Sequence, residues 1–213
     1  MGEESYENVV YSRNVLEFVT VCNEYCTYIE QVETHAKKDL VPTLQKVLPL
    51  LYLKATILPT INETSEEIPE KFVTEVDYHF LLGKLEVKLG EHDAYQEVFD
   101  PNIQYSEGPV AGSIAENVMD IYQDVKDFLM AYRIGTEEVM EGALEECQQN
   151  FKHYWGQRLV NCLRALHSLV YGDVDLEDEG TTQKPKKKKD EPSEDSPLLR
   201  NHYDHFNDQS EGE

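Results

Sequence analysis

Three aspartates, Asp120, Asp124 and Asp127, are separated by four and then three residues. On a helix that spacing places them on one face, and Glu116 extends the row by one turn. Carboxylate oxygens are the ligands that Mg²⁺ prefers. Glu116, Asp120 and Asp124 are therefore the candidate metal ligands of a metal-dependent phosphohydrolase acting on nucleotides or similar small phosphates. Such a site wants denser glutamate clusters and a facing acidic helix, and neither is identifiable. The plainer reading is a solvated polar face.

A second group lies in a stretch of about twenty residues, EHDAYQEVFDPNIQYSEGPV. His92, Asp93, Glu97 and Asp100 are interleaved there with Tyr95, Phe99 and Tyr105. Mixed imidazole and carboxylate donors suit Zn²⁺ or Fe²⁺, but no fixed ligand spacing is present. A loop pinned to the body by its aromatics is the expectation. A third group is His153, Trp155, Arg158, Arg164 and His167. In so acidic a chain these bases are expected to pair with Asp120 or Asp124 across the fold. The same pairing would line a pocket for a small anion. Cys22 and Cys26 stand at i and i+4 without a histidine to complete a metal set. With Cys147 and Cys162, they read as buried thiols.

The elements that must carry these groups are helical. Val15, Val19, Cys22, Cys26, Ile29 and Val32 repeat at helical spacing within a first segment from about Tyr6 to Ala36. A second helix is predicted from an Asp39 N-cap to Leu58, with Pro42 in its first turn and a kink at Pro49. Thr74, with Asp77 three residues on, opens a third, and Gly90 closes it. Its expected apolar stripe is Val76, Phe80, Leu81, Leu85, Val87 and Leu89. Ser113 and Glu116 form a capping box for a fourth, which ends at Gly135. A fifth runs from Thr136 to Tyr171, with Gly156 as a possible bend. No alternating strand pattern is visible. The expected fold is all-α: a single bundle of about five helices with a long loop between helices three and four.

The chain has 213 residues and a net charge of −23. Residues 173–213 hold 13 acidic and 6 basic side chains and few large apolar ones. That composition predicts a disordered charged tail after an acidic helical domain at 1–172. The tail carries a lysine run, Lys186 to Lys189. An acidic surface disfavours nucleic acid and anionic lipid, so neither a nucleic-acid nor a membrane partner is expected. No signal peptide and no stretch of ~20 apolar residues is visible, which predicts a cytoplasmic protein.

Three blocks, DIYQDVKDF (120–128), WGQRLVNCLRALH (155–167) and LGEHDAYQEVFDP (89–101), occur in an order and spacing that resemble an uncharacterised all-helical bacterial family. That family is a domain of unknown function, and the resemblance covers roughly residues 8–172. It implies a bacterial, cytosolic, helical domain and brings no activity, catalytic residue or cofactor with it. The leading functional expectation is a protein-interaction module or small chaperone-like adaptor without a cofactor. Asp93, Tyr95, Glu97, Phe99, Asp100 and Trp155 are its candidate contact residues, and its partner is a protein.

Overall fold

The computed structural model describes residues 8–61, 70–97 and 110–177. Six helical segments make five helices: α1 (Arg13–Glu30), α2 (Lys37–Thr56), α3 (Glu75–Leu89), α4 (Ile114–Ile134), and a long last helix. That last helix comprises α5 (Glu137–Asn150) and α6 (Gly156–Tyr171), joined without a break by a π turn at Phe151–Trp155. Helix α4 is the axis. It packs against α1, α3, α5 and α6, while α2 closes the bundle against α1 and α6.

Local signals set most helix ends. Thr74 Oγ1 accepts from the Asp77 amide at 3.2 Å, and Asp77 Oδ2 accepts from the Thr74 amide at 3.2 Å. Both orphan donors of the first turn are thereby satisfied. Gly90, at φ +59°, closes α3 in a conformation that glycine adopts without strain. Several expected boundaries shift. The first segment ends as an α-helix at Glu30 and continues as a 3₁₀ turn, Val32–Thr34, which reverses the chain into α2. Helix α2 begins after Ala36, so Asp39 sits in the first turn, where a carboxylate favours the positive helix end. The α3 core face is Leu81, Leu82, Leu85 and Leu89, while Val76 and Val87 are exposed.

Two expectations are corrected. The loop between α3 and α4 contains a β-hairpin: β1 (Ala94–Glu97) pairs antiparallel with β2 (Val110–Ser113), Tyr95 opposite Gly112 and Glu97 opposite Val110. Residues 98–109 between the strands, with Phe99, Asp100 and Tyr105, lie outside the described residues, as does the chain after Glu177. The polar row of α4 is solvated only in part: Glu116 is exposed, Asp120 and Asp124 are half-buried and Asp127 is buried. Asn117, Lys126 and Asp127 are buried, because neighbours surround the helix. Lys126 meets Glu30 at 2.7 Å, and Tyr122 donates to the same carboxylate at 2.9 Å. All four cysteines are buried free thiols. Past Gly172, Leu176 packs on the core and Glu177 pairs with Lys38 at 3.3 Å.

Candidate functional site

Helix α6, entered through the π turn, supplies one wall of the site. One extra residue in the helical spiral lets Trp155 point into the core, fully buried, where its indole N–H donates to the Cys147 carbonyl at 3.2 Å. Gly156 follows directly, since a Cβ there would lie 2.4 Å from the Phe151 carbonyl oxygen. From this turn Tyr154 and Arg158 reach α4. Arg158 Nε lies 3.5 Å from Asp120 Oδ2, and Tyr78 of α3 donates to Asp120 Oδ1 at 2.9 Å. Burial, then the Asp120 charge, pushes the Tyr78 phenol well up. Burial and the Asp120 carboxylate push Tyr154 to about 12. Arg158 is held above its ordinary value despite burial, by the Tyr154 oxygen and by Asp120 and Glu97.

The hairpin sets the other wall. The Tyr95 ring lies over Gly112 so closely that a Cβ there would be 2.6 Å from Tyr95 Cζ. Asn117 donates to the Tyr95 hydroxyl at 2.6 Å, and that hydroxyl donates to Glu97 at 3.3 Å. Asn161 of α6 donates to the same Glu97 oxygen at 3.3 Å, with Arg158 4.0 Å away. One polar network thus joins β1, α3, α4 and α6. Asp93 fastens the base of the hairpin: its Oδ1 accepts from the Ala115 amide at 2.7 Å and its carbonyl from Ile114 at 2.9 Å. Ser113 Oγ accepts from the Glu116 amide at 3.0 Å. Together they cap α4.

Between the walls lies a cleft of about 320 Å³. All four residues of β1 line it and none of β2, which places it along the strand edge that β2 leaves open. Ile114, Val160, Ala165 and Leu169 make it apolar; His92, Glu97, Asn161, Arg164 and Ser168 supply its polar groups. Glu97 and Asn161, both in this lining, are hydrogen-bonded to each other.

The remaining acids of α4 go elsewhere. Asp124 accepts from Asn150 at 2.6 Å, and burial pushes its carboxyl up to about 6 against that hydrogen bond and the Lys71 charge. Asp127 accepts the Phe72 and Val73 amides at 2.8 and 2.9 Å. Asp120 and Asp124 therefore face different partners, and Glu116 is exposed. Among the described residues, no three His, Cys, Asp or Glu side chains gather closely enough to hold a metal ion. Of the interaction candidates, Tyr95 and Glu97 stand in the network, Asp93 caps α4, and Trp155 is core. The pairing expected across the bundle is present as Arg158–Asp120. Sequence reasoning missed Tyr78, Asn117 and Asn161, whose roles exist only once the hairpin is laid on α4 and α6. Among the described residues no helix is long and apolar enough to cross a membrane.

The crystal structure of protein BF1032 from Bacteroides fragilis is similar to this chain at 41% identity and a TM-score of 0.68, covering 77% of this chain and 96% of that one. No curated protein matches the chain. A family model, domain of unknown function DUF5063, matches residues 9–172 and so spans the whole bundle, hairpin and cleft included. This chain belongs to that family.

Proposed function

We propose that this chain is a protein-interaction module, an adaptor of the cytoplasm that takes an extended segment of a partner alongside β1. The observation that carries the reading is the position of the cleft, on an open strand edge with a helix as its opposite wall. An added strand would satisfy the outward backbone groups of β1, and pockets beside alternate residues would supply selectivity. The apolar lining gives burial, and the polar groups at the rim give register. Four free buried thiols fit a reducing compartment.

The test is selection from a displayed peptide library on the full chain, repeated with Val160→Arg. Val160 is 45% exposed and lines the cleft, so the arginine fills the groove without entering the core. Peptides enriched on the wild type and lost on the variant, at unchanged melting temperature, are the expected result. No enrichment, or equal enrichment on both proteins, refutes the reading.

A further inference from the structure

We infer that the cleft selects the free C-terminal carboxylate of its peptide, with the Arg164 guanidinium as the counter-ion. The inference rests on the interaction reading above. In a chain of net charge −23, most cations near an acid are engaged: Arg158 with Asp120 and Glu97, Lys71 with Glu146, Lys54 with Glu17. Arg164 is different. It lines the cleft, and no described carboxylate pairs with it. His92, lining the same cleft, has a buried Nε2 with no hydrogen-bond partner among the described residues. A buried polar nitrogen left unmatched is costly, and a backbone group of an entering strand would match it. Among the described residues that line the cleft, the one carboxylate, Glu97, is already occupied by Tyr95 and Asn161. Among the described lining residues, the charge left without an ion-pair partner is thus positive.

Geometry points to a chain end. Asn161 and Glu97, both in the lining, are hydrogen-bonded to each other, and a strand laid on β1 that stops at this contact places its last residue there. Arg164 follows Asn161 by three residues, about 4.5 Å along the helix axis. The terminal carboxylate of a strand that stops at this contact falls beside that guanidinium. Charge-assisted hydrogen bonds from a guanidinium to a carboxylate are among the stronger polar contacts available. The alternate strand positions leave only about 10 Å of β1, room for three or four residues. Recognition of so short a segment needs an anchor of this kind.

The experiment uses pools of N-acetylated tetrapeptides, ending either in a free carboxylate or in a carboxamide, titrated into the ¹⁵N-labelled full chain. Shifts of β1 and α6 amides report binding in the cleft. The free-acid pool should bind at least tenfold more tightly than the amide pool. Arg164→Gln should abolish that preference by weakening the acids alone, and Arg164→Lys should restore part of it. Arg164 is exposed, so the fold should persist, and the spectrum itself checks this. Equal binding of acids and amides, or a preference that survives Arg164→Gln, overturns the inference and leaves the interaction reading standing. Amide-ended peptides with a final Asp or Glu that bind as well as free acids also overturn it, by assigning the site to side-chain carboxylates. Failure of both pools to shift any β1 or α6 amide removes the interaction reading and the inference together.

Discussion

Replacing Asp124 by Asn should stabilise the protein at neutral pH. The carboxyl is partly buried beside Asn150, and two acids, Asp127 and Glu146, oppose the one cation, Lys71, that favours its ionised form. Carrying it from its ordinary value of 3.8 to about 6 costs about 3 kcal/mol once the group is ionised, at about 1.4 kcal/mol per pH unit. Solvent screens part of this, so the gain on removing the charge is about 1–3 kcal/mol. The shape and the hydrogen bond survive, since the Asn oxygen can still accept from Asn150. The sign follows from proton binding. Because the folded-state value is raised, the folded protein holds a proton that the unfolded chain has released between about pH 4 and 6. Wild-type stability from this group is therefore complete below pH 4 and lost as the pH rises through 6. Urea denaturation followed by circular dichroism, at intervals from pH 4 to 7.5, should show Asp124→Asn and wild type coinciding at the acid end and diverging above pH 5. A variant less stable than wild type at pH 7.5, or an advantage independent of pH, would refute the reasoning.

Three further substitutions probe the elements that carry the cleft. Gly156→Ala should destabilise by about 1–3 kcal/mol, because its Cβ meets the Phe151 carbonyl at 2.4 Å; in a regular helix the same change would stabilise by about 1 kcal/mol, so the sign of the shift in urea midpoint decides. Gly112→Ala should push the Tyr95 ring off β2, cost about 1–3 kcal/mol, and become nearly neutral in a Tyr95→Ala background; a double-mutant cycle measures this, and additivity would count against the contact. Asp93→Ala should remove one cap from α4 at about 1 kcal/mol and speed hydrogen exchange at the Ala115 amide; unchanged exchange would deny the capping role.

Helices were legible because their signals are local. Thr74 and Asp77, Ser113, Gly90 and Gly135 act within one turn of where they stand, and the structure uses each of them at a helix end. The hairpin was not legible. Its strands have four residues each, Ala-Tyr-Gln-Glu and Val-Ala-Gly-Ser, with one β-branched residue between them. Tyr95 laid over Gly112 holds them, and that contact joins residues seventeen positions apart. The partial burial of Asp120 and Asp124 and the full burial of Asp127 were equally out of reach, because they depend on how many helices surround α4. The π turn did leave a trace. Cys147, Phe151, Trp155 and Leu159 recur at intervals of four, three times over, and a 3.6-residue helix cannot keep four such positions on one face. An inserted residue can, and the π turn supplies it.

The two walls of the cleft are fixed by features that have no other reason to coincide. A π turn costs regular hydrogen bonding and is retained where it aims a side chain; here it aims Tyr154 and Arg158 at Asp120 while Trp155 anchors the turn. A glycine weakens a strand, yet Gly112 is the position that lets Tyr95 reach Asn117. Each departure brings one wall onto the same partly buried network, and Glu97 with Asn161 and Arg158 joins the two halves. A cleft held in this way is set by the core rather than by its occupant. A peptide entering it would order itself without having to order the protein, which lowers the entropic cost of binding. On this argument the amides of α6 should be as well protected from hydrogen exchange without peptide as with it, and added protection should appear in β1, where a new strand would pair. Protection arising in both walls together would mean that the cleft forms on binding, and the rigidity attributed to the π turn and to Gly112 would have to be given up.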